Sequence, residues 1–274
     1  MFSVVILTLN EEARLPRCLA SVKECSDVVV LDSGSTDRTV EIAQASGARV
    51  FSNPFETFAQ QRNYAHDQIK FRHSWLFHLD ADEQFTPELH HECQNWNPAP
   101  SNDGTWVAPK MMWRKRWIPR CTDFPAWQAR FVRPDRFRFI EVGHGQRESP
   151  NMEMSYLVNN YIHNLSADGV DGWLAKHRRY AKYETRAQFE SSTIKFRNLV
   201  SPDRLIRRRT LKQVSYLIPF RASARFIYQY LLRQGFREGV AGFEYCRLLA
   251  RYEGFAQAEL RTLRRQSRAP LNQP

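Results

Sequence analysis

The chain has no long apolar run: no hydrophobic stretch approaches the roughly 18–20 residues that a bilayer-spanning helix needs, so no membrane span is expected. Cysteine is scarce and scattered. Cys18, Cys25, Cys93, Cys121 and Cys246 form no CxxC pair, which argues against a disulfide framework or a zinc site and fits a reducing cytosol. The amino terminus lacks a basic leader and a small-residue cleavage site, so Phe2 to Thr8 reads as a first strand and not as a signal peptide. No internal repeat is present, and no low-complexity segment precedes the last few residues. Acidic charge is thin at one end only. From Val200 onward there are 15 Lys and Arg against 5 Asp and Glu, whereas the first 199 residues hold 25 against 24. Nearly all of the +11 formal charge therefore lies in the C-terminal quarter, which points to an anionic partner: a lipid surface, nucleic acid or a phosphorylated substrate.

What is present is an alternation of strand and helix signals over the first hundred residues. Strands are expected at 3–8, 28–32, 48–51 and 75–79, with helices at 11–24, after Asp37 as N-cap, and at 57–70. Strands separated by single helices imply a mostly parallel sheet with helices on both faces, an α/β fold. Residues 105–140, rich in Trp, Arg and Pro, read as an antiparallel extension, residues 169–190 as a helix, and the chain from about 201 as helical and basic. Two strands end in carboxylates: Val28 to Leu31 runs into Asp32, and Trp75 to Leu79 runs into Asp80, Asp82 and Glu83. Ligands of open α/β sheets sit at the carboxyl ends of strands. A cluster of carboxylates there suits a hard divalent cation that bridges to substrate phosphates. The plainer alternative is that Asp80 and Asp82 cap the following turn, and that Asp32 forms the turn before Ser33-Gly34.

The segments Ser3-Val4-Val5-Ile6-Leu7-Thr8-Leu9-Asn10-Glu11-Glu12, Val30-Leu31-Asp32-Ser33-Gly34-Ser35-Thr36-Asp37 and Leu79-Asp80-Ala81-Asp82-Glu83 together resemble glycosyltransferase family 2, with the GT-A fold. Within it the chain resembles the bacterial subgroup similar to lipopolysaccharide-core β-glucosyltransferases. The resemblance implies a donor-binding half over 1–100 and an acceptor half over 101–199, followed by a basic amphipathic helical tail at 200–274. It implies transfer of a hexose from a nucleotide sugar, with inversion, assisted by Mn²⁺ or Mg²⁺. It assigns Asp82 to the metal, with Asp80 orienting the ribose or supporting the metal through water. Thr8, Asn10, Glu11 and Asp32 lie near the nucleotide, Asp32 as acceptor of a uracil N–H, and Arg62 contacts the diphosphate. An inverting transfer also needs a general base. Glu148 is favoured because it closes Gly143-His144-Gly145-Gln146-Arg147-Glu148, where glycines permit close approach to a ligand; Asp123 and Glu141 remain open. His144 and His163 are further metal or phosphate contacts. Gln128-Ala129-Arg130-Phe131 departs from the Gln-x-x-Arg-Trp motif of the family's processive synthases, so one sugar is expected per encounter.

In the tail, Phe226-Ile227, Tyr230-Leu231, Phe236, Val240 and Phe243 interleave with arginines at helical spacing. Such helices suit an anionic membrane surface, placing the enzyme on the inner face of the cytoplasmic membrane beside a glycolipid or lipopolysaccharide-core acceptor. A nucleotidyltransferase would open with a glycine-rich loop, and Leu9 to Glu12 has no glycine. A nucleic-acid-binding protein would need a recognisable module, and none is apparent, so no nucleic-acid partner is expected.

Overall fold

The computed structural model describes residues 1–142, 145–167, 169–190, 195–215 and 220–267. The chain divides into two compact units, Met1–Met112 with Asp123–Ala167, and Trp113–Thr122 with Asp168–Pro274. The division falls after residue 167, not at the expected 199/200 boundary.

The first unit is built on β1 (Ser3–Thr8), α1 (Leu15–Ser21), β2 (Asp27–Asp32), α2 (Thr39–Ala45), β3 (Arg49–Ser52), α3 (Phe58–Gln68) and β4 (Leu76–Asp80). There follow β5 (Glu83–Gln84), α4 (Pro87–Gln94), β6 (Gly104–Val107), β7 (Pro109–Trp113), then β8 (Arg116–Trp117), which belongs to the second unit. The first unit resumes with β9 (Gln128–Val132), β10 (Phe139–Val142), β11 (Gly145–Glu148), β12 (Met154–Tyr156) and β13 (Tyr161–Asn164). The main sheet has the order β12-β6-β9-β4-β1-β2-β3. Its pairs are parallel except for the two made by the antiparallel strand β9, so the sheet is mostly parallel as expected.

The near-continuous apolar strands follow from burial on both faces. Along β1, Val4 and Ile6 pack with Leu15, Leu19, Ala43 and Leu89 of α1, α2 and α4. Val5 and Leu7 point the other way and pack with Ala65 of α3 and with Ile69. Helix starts are encoded locally. Thr57 and Thr86 accept the backbone N–H of Gln60 and Leu89, and Pro87 follows the second cap. Gly47, at φ +80°, ends α2 in the left-handed region that favours glycine. Helix α1 is shorter than the expected 11–24. Asn10 sits at φ +55°, and the Glu11 carbonyl is spent on the N–H groups of Arg14 and Leu15.

The second unit contains β8, α5 (Gly169–Glu190), α6 (Arg204–Ser215), α7 (Arg221–Ile227), a π-helical turn over Tyr228–Leu232 and α8 (Gly239–Gln266). The long helices α5 and α8 pack together, with Trp173 buried 6.2 Å from the Tyr245 ring. That contact places 169–190 with the C-terminal helices. Trp113 is fully buried and donates through Nε1 to Glu244 at 2.7 Å. A Cβ on Gly242 would lie 2.2 Å from the Gly235 carbonyl oxygen, so only glycine fits where α8 meets the preceding turn.

Beneath the main sheet, His66 and His78 share one proton across 2.8 Å between their Nε2 atoms. His66 Nδ1 lies 3.1 Å from the Phe137 carbonyl, so it carries a proton and its Nε2 accepts from His78. Burial keeps both rings neutral and pushes His66 down to about 3 from 6.5. In the unfolded chain both rings take protons near 6.5. The unfolded state therefore binds more protons below that value, and the stability is complete above about pH 6.5 and lost as the pH falls toward 3. Thermal melts between pH 7.5 and 5 are expected to show a steep acid-side loss of Tm in the wild type. The loss is expected to be shallower in the His66→Gln/His78→Gln double variant.

Candidate active site

The register of the parallel strands brings the acidic strand ends together. Thr8 of β1 is level with Asp32 of β2, and Leu7 with Asp80 of β4. Adjacent strands lie about 4.8 Å apart, so Asp32 and Asp80 are roughly 10 Å from each other at the same edge of the sheet.

The loops after β1 and β2 lock into each other. Asp32 is 3% exposed. Its Oδ1 accepts from the Thr8 and Ser35 hydroxyls, and its Oδ2 from the Gly34 and Ser35 N–H groups at 2.9 and 2.8 Å. These four donors fill the about four acceptor sites a carboxylate offers. Asn10 Oδ1 accepts from the Thr36 N–H at 2.8 Å, and its own N–H donates to Ser35 Oγ. The Glu11 N–H donates to Thr39 Oγ1 at 2.8 Å, while its carboxylate pairs with Arg14. Thr8, Asn10, Glu11 and Asp32 thus form one hydrogen-bonded frame, in which Asp32 takes the turn-forming role.

At the end of β4 the charges are paired, with Asp80 half-buried and its partners buried. Asp80 Oδ1 accepts from Arg62 at 2.7 Å and Oδ2 from Arg130 at 3.0 Å. Arg130 also donates to Glu83 at 2.8 Å, and the other Glu83 oxygen accepts the Asp80 N–H. Arg62 and Glu83 are each 1% exposed, and Arg130 3%. Burial opposes charge on Asp80, but the two guanidinium groups outweigh it and hold this carboxyl well below the usual range. For Glu83 burial wins, reinforced by Asp80, and pushes it up to about 8 despite Arg130. Arg62 is pushed down to about 10 by burial, and its Nε and Nη1 have no hydrogen-bond partner among the described residues.

Asp82 is linked to this network through His163, whose Nδ1 lies 3.6 Å from Glu83 Oε1. The Asp82 carboxylate lies 3.4 Å from His163 Nε2, and the two side chains are 23% and 24% exposed. His163 arrives through the pairing of β13 with β5, which sets it opposite Glu83. Burial alone favours the neutral ring, but Asp82, Glu83 and Asp80 together push His163 above its ordinary value. Among the described residues no group of three His, Cys, Asp or Glu is arranged to hold a metal ion. At most two such side chains therefore converge among the described residues. That fits Mg²⁺ or Mn²⁺, which keep waters and take their remaining oxygens from phosphates. Asp82 and His163 match that requirement. Asp80, expected as a second ligand, accepts one arginine N–H at each oxygen, which leaves about two of its roughly four acceptor sites.

Arg62, expected at the diphosphate, is buried against Asp80, with its guanidinium carbon 5.7 Å from the Phe139 ring centroid. Glu148 lies on β11 opposite Phe139 of β10, and their side chains share one face of the hairpin. Asn63 of α3 clamps that hairpin through the Phe139 N–H and C=O at 3.0 and 2.9 Å. Glu148 is half-buried, and no ion pair among the described residues joins it to the carboxylate cluster. A Cβ on Gly145 would meet only the Val142 oxygen at 3.9 Å, so no close approach requires glycine there. Glu141 is exposed on the same hairpin, opposite Gln146, and Asp123 is exposed ahead of β9. His144 and Gly143 lie outside the described residues.

The family model described as glycosyl transferase family 2 matches residues 3–146, more than half of the chain. The chain belongs to this family. A lipopolysaccharide core biosynthesis glycosyltransferase, LpsC of Rhizobium meliloti, is 37% identical over 92 residues, covering 32% of this chain and 33% of that protein. An uncharacterized glycosyltransferase of Rickettsia bellii is 41% identical over 93 residues, covering 34% and 31%. The match spans about a third of the length of these curated relatives. Among solved structures, the mannosyltransferase PcManGT of Pyrobaculum calidifontis, in complex with GDP-Man and Mn²⁺, aligns over 99% of this chain and 88% of its own at TM-score 0.48 and 14% identity.

Two residues of this family 2 site escaped the sequence reading: Arg130 and the buried role of Glu83. A lone arginine between Ala129 and Phe131 in an otherwise apolar strand was the available signal, since a charge on such a strand must find a partner inside. Replacing Arg130 with Met leaves Asp80 and Glu83 buried with one cation fewer. The expected cost is about 3–5 kcal/mol in urea unfolding.

Proposed function

We propose that this family 2 chain is an inverting, non-processive hexosyltransferase that uses a nucleotide sugar, with uridine diphosphate as its leaving group. The acceptor is a lipopolysaccharide-core or lipid-linked glycan of the cell envelope, reached at the inner face of the membrane. The reading rests above all on one observation: the half-buried Asp82 and His163 stand beside the paired Asp80–Arg62–Arg130–Glu83 network, whose Asp80 is likewise half-buried, at the sheet edge that also carries Thr8 and Asp32. The lipopolysaccharide-core acceptor is supported by the likeness to LpsC over about a third of each chain.

Asp82 and His163 would hold the divalent cation. When bound, that ion acts as a Lewis acid on the diphosphate oxygens and stabilises the charge they take up on leaving. The protein's own groups do the rest. The Thr8–Asp32–Ser35 frame fixes the floor under the nucleoside, and a uracil N–H reaches Asp32 only by displacing one of its present donors. Arg62 and Arg130 keep Asp80 ionised and immobile, so the backbone leading to Asp82 does not shift as charge develops. An acceptor hydroxyl attacks the anomeric carbon from the face opposite the diphosphate, and Glu148 takes its proton from the hairpin over α3.

UDP release across UDP- and GDP-sugars with Mn²⁺ tests the reading. Asp82→Ala is expected to abolish turnover, and His163→Ala to weaken UDP binding in Mn²⁺ while leaving the fold intact by thermal melting. Glu148→Gln is expected to keep UDP affinity within about twofold and slow transfer by 10²–10⁴, the usual contribution of a general base. Normal turnover in Glu148→Gln would move that role to Glu141 or Asp123.

A further inference from the structure

The second unit contains a groove that the transfer chemistry does not use. It has a volume of about 910 Å³ and runs between α5, α7 and α8. That is within the size range of small-molecule sites. Its lining is mainly apolar or small, including Leu174, Ala222, Phe226, Ala250 and Gly254. Phe226 is braced from behind, stacked on Tyr230 at 5.1 Å and edge-on to Phe243 at 5.9 Å, so this wall is firm.

Gly254 is the informative residue. It sits inside the 28-residue helix α8, where glycine is less favourable than alanine, yet a Cβ there would meet no atom within 4 Å. Packing does not demand the glycine; its missing side chain leaves the floor of the groove open. Two arginines on opposite walls, Arg178 of α5 and Arg251 of α8, line the same groove. Neither has a carboxylate at ion-pair distance among the described residues. Four acids of this unit are engaged elsewhere: Glu238 with Arg120, Glu244 with Arg114, Glu253 with Arg221 and Glu259 with Arg186. The acidic lining residue, Asp171, is about 10 Å along α5 from Arg178 at 1.5 Å per residue. Arg178 is thus about two helical turns from Asp171. At the α7 end the groove reaches Ile227, which is 50% exposed and continues into Leu231 and Leu232, 53% and 72% exposed.

An apolar trough, a basic rim and an exposed apolar lip match one chemistry. We propose that the groove between α5, α7 and α8 binds the acyl chain of an anionic lipid, with its phosphate held between Arg178 and Arg251 and its chain entering past Ile227. This deepens the membrane-side acceptor of the proposed function and narrows the basic tail's role. Most of the apolar face of α8, from Ala241 through Tyr245 and Leu248 to Leu260, is already buried, so the helix cannot offer that face to a bilayer.

The test uses the full chain and soluble lipid, with no nucleotide sugar present, so it stands apart from the UDP-release assay. Monomeric dioctanoyl-phosphatidylglycerol is titrated by calorimetry against glycerol phosphate and the dihexanoyl homologue. Saturable binding of the dioctanoyl lipid is expected, with the dihexanoyl lipid roughly fifteenfold weaker for two methylenes lost from the seated chain at about fourfold each. Gly254→Leu fills the groove and is expected to lower affinity at least tenfold with Tm unchanged. Arg178→Gln/Arg251→Gln is expected to abolish the preference over dioctanoyl-phosphatidylcholine. Equal binding of glycerol phosphate, no dependence on chain length, or undiminished binding by folded Gly254→Leu would overturn the proposal. So would light scattering that shows a dimer closing the groove. Should Gly254→Leu fail to fold, the chain-length series decides alone.

Discussion

Arg130 is the residue on which the site's architecture turns. A carboxylate at a buried strand end is costly unless cations and hydrogen bonds surround it, and Asp80 has two guanidinium groups at 2.7 and 3.0 Å. Arg130 reaches Glu83 as well, and its guanidinium carbon lies 5.2 Å from the centroid of the Tyr161 ring. One side chain from an antiparallel strand thereby ties together β4, β5 and β13. These are the elements that present Asp82 and His163. The network fixes the end of β4 in one position, and Asp82, one residue beyond Ala81, meets His163 at 3.4 Å.

The same division of labour recurs on the neighbouring strands. Thr8, Asn10 and Asp32 spend their polar groups on one another and on the Ser35–Thr36 turn. Residues with the chemistry to touch a ligand thus serve to make two loops rigid. Pre-organisation of this kind lowers what a ligand must spend on ordering the protein when it binds.

Much of this was legible in the sequence where the information is local. The strands of the donor half, the helix at 57–70 and the acidic strand tips all come from short patterns of apolar residues and carboxylates. Long-range pairings were not legible. Arg130 meets Asp80 only because β9 lies antiparallel to β4, and His163 meets Asp82 only because β13 pairs with β5. Nothing within a few residues of either one announces its partner. The unit boundary was hidden for the same reason: 113–122 joins the C-terminal helices through Trp113, Arg120 and Cys121, whose partners lie more than a hundred residues away. The helix at 169–190 was readable, but not the helix it would pack against.

The antiparallel placement of β9 carries an evolutionary consequence. Its register sets Leu76 against Val132 and Phe77 against Phe131, which leaves Arg130 level with His78. Side chains alternate between faces with a period of two, and a bulge adds one unpaired residue that resets the alternation. Against β6 the register passes from Thr105–Phe131 to Trp106–Ala129, so the extra residue of β9 is Arg130 itself. Removing that one residue would straighten the strand and take away the cation in a single event, leaving Asp80 and Glu83 without it.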